Sequence, residues 1–172
     1  MALQYLSDAQ STMILALTAA GSAGERQEIP VGAVLRDAAG RFLAACGNNR
    51  IAAMDPTGHA EIHVLRQAAA RLGNDRLGGT RLTVTLEPCP MCLAALAMAR
   101  VACIRYEANN ILFNQEGGRP DLHHQLPAKE ESDFDLNGIN PHVNNDIDPF
   151  VSRSGVDAGL LLRIFFDKRR QI

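Results

Sequence analysis

The chain has 172 residues, of which 47% are hydrophobic and 21% are charged, and its formal net charge at pH 7 is −2. This length suits one domain with a single core, and the composition excludes an intrinsically disordered chain. No apolar run approaches the ~18 residues that a membrane-spanning helix needs. The first residues also lack the basic segment and apolar run of a secretory signal, so we expect a cytoplasmic protein.

The first elements predicted along the chain are a helix and a β-hairpin. Apolar residues recur at helical spacing over residues 7–20, and Gly21 is expected to end this helix. Residues 31–36 and 41–46 have the composition of strands, and Asp37-Ala-Ala-Gly40 between them is a turn signal. An antiparallel pair of strands is therefore expected after the first helix.

A second helix and a third strand are predicted next. Residues 59–72 carry an Ala/Leu-rich helical pattern, with Thr57 as the expected N-cap and Gly73 as the expected terminator. The preceding stretch, residues 47–58, is expected to be a loop. Residues 80–86 form a β-rich run, which predicts a strand after the helix.

The last part of the chain begins with another helix and strand. A helix is predicted over residues 88–100, because its prolines suit a first turn, and a strand over residues 101–108. Residues 109–153 are rich in Asn, Asp, Gly and Pro and show little periodicity, which predicts a variable acidic loop segment. The C-terminal segment, residues 154–170, predicts an amphipathic helix.

The order of these elements predicts the fold class. Helices and strands that alternate after an opening hairpin indicate an α/β protein, here a three-layer αβα arrangement with helices on both faces of the sheet. The hairpin makes the sheet mixed, and about five strands are expected. No linker or repeat divides the chain, so residues 1–172 are expected to form a single domain.

Charge is distributed unevenly along the chain. Residues 1–106 carry 10 basic and 8 acidic side chains, a net charge of +2, and residues 107–148 carry 2 basic and 9 acidic side chains, a net charge of −7. Residues 149–172 carry 5 basic and 2 acidic side chains, and their dense basic cluster is Lys168-Arg169-Arg170. Proteins that hold RNA by its phosphates usually have a basic stripe. The distribution therefore weakens a nucleic-acid interpretation without excluding it.

The sulfur-containing residues divide into two groups. Cys46 and Cys103 lie in apolar runs and are expected to be small, buried core residues. Met91 and Met98 lie in the helix predicted over residues 88–100 and are expected to fill the core as well. The other two cysteines belong to a motif with different chemistry.

Two short motifs supply a candidate metal site, His59-Ala-Glu61 and Pro88-Cys-Pro-Met-Cys92. The imidazole of His59 and the thiolates of Cys89 and Cys92 are three ligands of the softness that zinc prefers. A structural site usually closes with a fourth protein ligand, and none has suitable spacing here. Three ligands with an open position indicate a catalytic site, so Zn2+ is the expected cofactor.

The acidic residue of the first motif is the candidate proton carrier. Each motif opens a predicted helix, where free N–H groups and a partial positive charge favour thiolates. Glu61 lies two residues from His59 and can reach water at the metal without being a ligand. It could therefore accept a proton from water and return it to a leaving group.

Other classes of protein are open at this point. A redox protein would use the Cys89–Cys92 pair without His59 and Glu61, and a structural zinc module would need a fourth ligand. A non-catalytic partner subunit often lacks the acidic residue that carries the proton. The ordered combination of both motifs favours an enzyme.

Four stretches carry a resemblance to a known family: Pro30-Val-Gly-Ala-Val34, Gly47-Asn48, Asp55-Pro-Thr-Gly-His-Ala-Glu61 and Thr85-Leu-Glu-Pro-Cys-Pro-Met-Cys92. Over about residues 5–106 the chain resembles the cytidine/deoxycytidylate deaminase superfamily, whose zinc deaminases share this signature. Within it, the chain is similar to bacterial tRNA-specific adenosine deaminases and to guanine deaminases. The resemblance implies a hydrolase of C–N bonds in cyclic amidines, which replaces an exocyclic amino group of a nucleobase with oxygen and releases ammonia.

The resemblance implies the same zinc ligands and proton carrier, and it adds expected substrate contacts. The Asn48 side chain would hydrogen-bond the substrate's ring or sugar, and the Ala60 backbone N–H would meet the edge of the base. Ile29 and Pro30 would help to wall the base pocket. Family members usually associate through helices beside the sheet, so a homodimer is expected.

Two substrate classes are indicated by different stretches. Residues 29–34 and the aromatic-basic end of the chain are similar to the tRNA enzymes, whereas residues 48–49 and 87–93 are more similar to guanine deaminases. An acidic segment near the pocket would repel phosphates within a Debye length of ~8 Å. We therefore expect a small free base or nucleoside as substrate, with the wobble adenosine of a tRNA anticodon as the alternative. No membrane partner is expected.

Overall fold

The computed structural model of the chain describes residues 8–108, 142–144 and 158–170. These ranges contain the following helices and strands: α1 (Asp8–Glu25), β1 (Gly32–Arg36), β2 (Phe42–Gly47), α2 (Arg50–Ala53), α3 (Ala60–Leu72), β3 (Arg81–Leu86), α4 (Pro90–Met98), β4 (Cys103–Ala108), β5 (His142–Asn144) and α5 (Ala158–Arg170). None of these helices is both long enough and apolar enough to cross a membrane.

The strands form one mixed sheet in the order β2-β1-β3-β4-β5. The hairpin partner β2 and the next strand β3 both run antiparallel to β1, whereas β3, β4 and β5 run parallel to one another. The expectation of a mixed sheet of about five strands is confirmed. Of the segment 109–153, the structure describes β5, a short strand that the loop-like composition did not predict.

The strand directions bring three connections to one edge of the sheet. Because β1 is antiparallel to its two neighbours, the start of β1 lies beside the ends of β2 and β3. Gly32 pairs with Gly47, and Ala33 pairs with Val84. The segments that precede β1, follow β2 and follow β3 therefore meet at this edge, and they carry the residues singled out from the sequence.

Helices cover both faces of the sheet. On one face, α1 contacts β1, β2 and β3, and α5 lies beside α1 and β4. On the other face, α3 contacts β1 and β2, and it also contacts α4. Val34 packs with Met13 and Ala16 of α1, whereas Leu35 joins the larger core cluster that contains Val64 of α3. Side chains that alternate between the two faces of a strand thus build two core layers, and the predicted αβα architecture is confirmed.

The sheet and α1 approach each other closely at a glycine. A Cβ atom on Gly32 would lie 2.0 Å from the carbonyl oxygen of Ala16 and 2.5 Å from the backbone nitrogen of Ala20. A side chain at this position would push the helix away from the start of β1. Gly32 therefore determines how closely α1 packs against the strand that leads into the site edge.

The first helix is longer than the sequence predicts. It continues past Gly21 to Glu25, and Ala23 in this last part is fully buried. The burial outweighs the ~1 kcal/mol that a glycine costs inside a helix. The helix ends where Gln27 adopts a left-handed backbone conformation with φ 66°, and the Glu28 N–H donates to the Ala23 carbonyl at 3.0 Å.

The connection around the first motif also differs from the prediction. Residues 47–58 contain the short helix α2 rather than loop alone, and Thr57 is not the N-cap of α3. The N-cap is His59, and the Thr57 hydroxyl instead donates to the Asp55 carboxylate at 2.7 Å. Gly73 ends α3 with a φ of 62°, as predicted.

Several expected core residues are exposed or only half-buried. Cys46 and Cys103 are half-buried rather than buried. The exposed fractions of Met91 and Met98 are 37% and 83%, so the prediction that they fill the core is wrong. The buried positions of α4 are Cys92 and Leu96, and neither methionine lies three or four residues from either of them, the spacing that would place it on the same face of the helix.

Candidate active site

Two helix N-termini hold the candidate metal ligands. His59 is the N-cap of α3 and Cys89 is the N-cap of α4, and their ψ angles of 154° and 165° belong to extended backbone. Cys92 lies in the first turn of α4, where Pro90 loses no intrahelical hydrogen bond. Both motifs therefore open helices, as the sequence predicts, and both helices begin at the same edge of the sheet.

The three candidate ligand atoms converge. Nδ1 of His59 lies 3.6 Å from Sγ of Cys89 and 3.5 Å from Sγ of Cys92, and the donor atoms all lie within 4.8 Å of one another. An ion with tetrahedral bonds of ~2.0–2.3 Å would hold such donors about 3.5 Å apart. Within the described ranges, the group consists of these three side chains. One imidazole nitrogen and two sulfurs at this spacing fit Zn2+.

Hydrogen bonding within the cluster affects the two thiols in opposite directions. The bond from the Cys92 thiol lowers the pKa of Cys89 to about 4. The same bond, together with burial, raises the pKa of Cys92. The hydrogen bond with Cys89 also raises the pKa of His59. Hydrogen bonds thus couple the three groups, whose atoms lie close enough together to bind one cation.

Glu61 lies in the first turn of α3, beside this cluster. Its side chain is buried, with an exposed fraction of 4%. Burial raises the pKa of Glu61, because desolvation disfavours the charged carboxylate. Among the described residues it forms no ion pair with a lysine or an arginine. A buried acid next to the ligand cluster is suited to holding and passing on a proton.

The structure brings two of the predicted substrate contacts together. The buried Asn48 follows β2, and its Oδ1 accepts a hydrogen bond from the Ala60 backbone N–H at 2.9 Å. This N–H is therefore satisfied within the protein, and a contact between it and a base would require the Asn48 side chain to turn away. Among the described residues, no group accepts a hydrogen bond from Nδ2 of Asn48. It remains as a donor.

The predicted pocket walls lie just before β1. Ile29 is half-buried and packs against the main core cluster, and Pro30 is buried. The Val31 N–H donates to the Ile29 carbonyl at 2.8 Å, which folds this segment into a tight turn. Both residues lie at the site edge because they immediately precede β1.

One buried acidic residue was missed by the sequence analysis. Glu28 has an exposed fraction of 1%, and its carboxylate accepts hydrogen bonds from the backbone N–H groups at the start of α2: Arg50, Ile51 and Ala52. No local pattern marks it, since its partners lie 22 to 24 residues away. From the sequence, residues 22–29 are expected to be a polar connection between the first helix and the first strand, so Glu28 does not stand out there.

Comparison with known proteins relates the chain to deaminases. Over 98 residues it is 51% identical to a tRNA-specific adenosine deaminase of Agrobacterium fabrum, a match that covers 57% of this chain and 64% of that protein. The chain thus spans less than two thirds of this relative's length.

Two solved structures are also similar. A structure from a study of A-to-I editing by tRNA:A34 deaminases at the wobble position of transfer RNA is 50% identical, with a TM-score of 0.57, and the match covers 58% of this chain and 72% of that one. A guanine deaminase from Bacillus subtilis is 28% identical, with a TM-score of 0.59, and the match covers 84% and 90% of the two chains.

The family model of the cytidine and deoxycytidylate deaminase zinc-binding region matches residues 6–108. This range includes β1 to β4, both motifs and all three candidate ligands. Together with the geometry of the cluster, the match supports Zn2+ as the metal of the site. The chain therefore belongs to the cytidine and deoxycytidylate deaminase family, whose zinc-binding region it contains.

Proposed function

We propose that this protein is a hydrolytic deaminase that converts adenosine to inosine at the wobble position of a tRNA anticodon. The cluster of His59, Cys89 and Cys92 beside a buried acid supports the chemistry. The substrate rests chiefly on one observation, the 51% identity to a tRNA-specific adenosine deaminase. The expected free-base substrate is supported less well, by the 28% identity to a guanine deaminase.

Each residue of the cluster has a part in this proposal. His59, Cys89 and Cys92 would hold Zn2+, which would supply Lewis acidity and lower the pKa of water at the site towards neutrality. Glu61 would take a proton from water and deliver it to the amino group, which leaves the purine ring as ammonia. The ring carbon gains the water oxygen in exchange, so adenine becomes hypoxanthine.

Substrate positioning is assigned to the edge of the sheet. Nδ2 of Asn48 would donate a hydrogen bond to the ring or sugar of the bound nucleotide, since Oδ1 is occupied by the Ala60 N–H. Ile29 and Pro30 would form an apolar wall for the base at the start of β1. In this arrangement the base lies between the apolar turn before β1 and the first turn of α3.

The end of α5 offers a basic surface for RNA. Lys168 and Arg169 are exposed, and the Arg169 guanidinium lies over the Phe165 ring, 4.7 Å from its centroid. Arg169 also donates to the Gln27 carbonyl at 3.0 Å, in the turn that precedes β1. This contact brings the basic end of the helix close to the site edge. A phosphate bound there would belong to the same substrate as a base in the pocket.

The second candidate is a deaminase of a free base or nucleoside. The observation in its favour is the net charge of −7 over residues 107–148, which would disfavour a polyanion near the pocket. Grafting the corresponding loop of a tRNA-specific relative in place of residues 109–150 tests whether this segment selects the substrate. A non-catalytic zinc module or partner subunit is a remote alternative, and Glu61 argues against it.

A homodimer is the proposed assembly. The exposed side of α4 presents Met91, Leu93 and Met98, and the helix contains no charged residue. A contiguous apolar surface of this kind is typical of a protein interface. Replacement of Met98 with glutamate should shift the sedimentation coefficient from that of a dimer to that of a monomer; an unchanged coefficient would argue for another interface.

The decisive experiment measures ammonia release with the zinc-loaded protein. The substrates are a tRNA anticodon-arm RNA, guanine, adenine, cytosine and their nucleosides, with Glu61→Ala assayed in parallel. We expect turnover of the RNA and a ~10²–10⁴-fold lower rate for the variant. Turnover of a free base alone would assign the second candidate function instead. An equally active Glu61→Ala variant would exclude the proposed proton carrier.

A further inference from the structure

Glu28 connects the end of α1 to the loop that carries Asn48. Its Oε1 accepts hydrogen bonds from Ile51 N–H at 2.8 Å and from Ala52 N–H at 3.0 Å, and its Oε2 accepts one from Arg50 N–H at 3.1 Å. The carboxylate therefore satisfies three consecutive donors at the start of α2. Such donors are left without intrahelical partners in every helix.

The helix α2 depends on this outside cap. It has four residues, far fewer than an isolated helix needs in water, and none of its residues is buried. The residue at its N-cap, Asn49, makes no side-chain capping bond. Neither helical propensity nor core packing can therefore hold α2 in place, and the carboxylate of Glu28 supplies the missing interaction.

The segment between α1 and β1, which contains Glu28, also holds the backbone of Asn48. The Arg26 guanidinium donates to the Asn48 carbonyl at 3.3 Å, and the Asn48 N–H donates to the Val31 carbonyl at 3.0 Å. On the far side of the loop, the Asn49 N–H donates to the Gly58 carbonyl at 2.9 Å. Asn48 thus lies between two anchored segments, and Glu28 anchors the one that follows it.

We propose that Glu28 is a positioning residue: by capping α2 it fixes the loop that presents the Asn48 side chain to the substrate. The inference rests on the proposed function for the identity of the substrate, but the anchoring of the loop stands on the structure alone. Glu28 acts through Asn48 and does not touch the reacting atoms. Its loss should therefore affect substrate binding more than the chemical step.

The test compares Glu28→Gln with wild type in the zinc-loaded, full-length protein. Glutamine keeps the length of the side chain but replaces one acceptor oxygen with a donor, which cannot bond to a backbone N–H. Glu25→Gln is the matched control, because Glu25 is the exposed last residue of α1, three positions before Glu28. Glu28→Asp retains both acceptors with a shorter reach, and it replaces Glu28→Gln if that variant does not fold.

Three readouts separate the possible outcomes. Amide hydrogen exchange at residues 50–52 should become at least ~10-fold faster in Glu28→Gln, while exchange in α3 and the zinc content stay at wild-type values. KM should rise ~10-fold with a smaller change in kcat. Unchanged exchange at residues 50–52, loss of zinc, or faster exchange with an unchanged KM would each overturn the proposal.

The two proposals fail in different ways. If wild-type protein turns over a free base and no RNA, the proposed function fails, and KM for that base becomes the readout for Glu28. If wild-type protein turns over the RNA but Glu28→Gln matches Glu25→Gln in exchange and KM, the positioning role fails while the proposed function stands.

Discussion

The side-chain oxygen of Asn48 accepts a hydrogen bond from the backbone N–H of Ala60 at 2.9 Å. This bond joins the loop after β2 to the first residue of α3, between His59 and Glu61. The bond therefore fixes Asn48, a candidate substrate-binding residue, to the N-terminus of α3. The metal ligand His59 and the proton carrier Glu61 lie at the same N-terminus.

Asn48 variants should separate the structural bond from the substrate contact. Asn48→Ala leaves the Ala60 N–H without its acceptor, so we expect a loss of about 1–3 kcal/mol in the free energy of unfolding as well as lower activity. Asn48→Asp keeps an acceptor beside a helix N-terminus but removes the Nδ2 donor. It should be more stable than Asn48→Ala and equally deficient in turnover. Urea unfolding and steady-state kinetics measure the two effects; full activity of Asn48→Asp would contradict the donor role.

Replacement of one sulfur ligand should abolish zinc binding. Cys89→Ser substitutes a hydroxyl for a soft thiolate, so zinc content should fall from about one ion per chain to well below that value. Free zinc at 100 times Kd should stabilise the wild type by ~2.7 kcal/mol, which corresponds to a rise of roughly 5–10 °C in Tm.

The half-buried Cys46 offers the control, because it lies outside the ligand cluster. Cys46→Ser should keep both its zinc and the zinc-dependent rise in Tm. Elemental analysis and thermal unfolding with and without a chelator measure both quantities. A Cys89→Ser protein with full zinc content would mean that the metal is held elsewhere.

Two glycines of the α1 region should respond in opposite ways to alanine. Gly32→Ala places a Cβ atom within 2.0 Å of a backbone oxygen, so it should lower the free energy of unfolding by at least ~1–3 kcal/mol. Gly21 lies inside α1 with no atom within 4 Å of an added Cβ, and Gly21→Ala should raise stability by ~0.5–1 kcal/mol. Urea unfolding measures the free energy of unfolding of both variants. A destabilised Gly21→Ala variant would indicate that α1 does not continue through this position.

The basic end of α5 should matter for RNA and not for small substrates. Lys168→Glu should weaken binding of an anticodon-arm RNA and lower the slope of log K against log salt by ~1, because a phosphate contact is lost. Turnover of a free nucleoside should stay unchanged. Arg76→Glu is the control, since Arg76 is exposed before β3, at the opposite edge of the sheet. If both variants weakened RNA binding equally, the effect of Lys168 would come from the net charge of the protein and not from a phosphate contact at α5.

The sequence was sufficient for features that depend on neighbouring residues. The helical spacing in α3 follows from periodicity, because side chains repeat every 3.6 residues in a helix. The strands β1 and β2 follow from two strand-like runs joined by the turn residues 37–40. Two of the metal ligands could also be predicted from the sequence, because Cys89 and Cys92 lie three residues apart at the start of one predicted helix. The third ligand, His59, lies at the start of another predicted helix. One imidazole and two thiolates together were enough to predict Zn2+.

Only the tertiary structure decided the features that depend on distant contacts. Gly21 looks like a helix stop, but burial farther along α1 carries the helix through it. Glu28 looks like part of a polar connection until its carboxylate is found on the N–H groups of α2, and Met98 looks like a core residue until α4 turns it outward. Hydrogen bonds and packing contacts between residues more than 20 positions apart leave no local pattern in the sequence. The order of residues along the chain therefore determined the chemistry of the site, and the tertiary packing determined how that site is held.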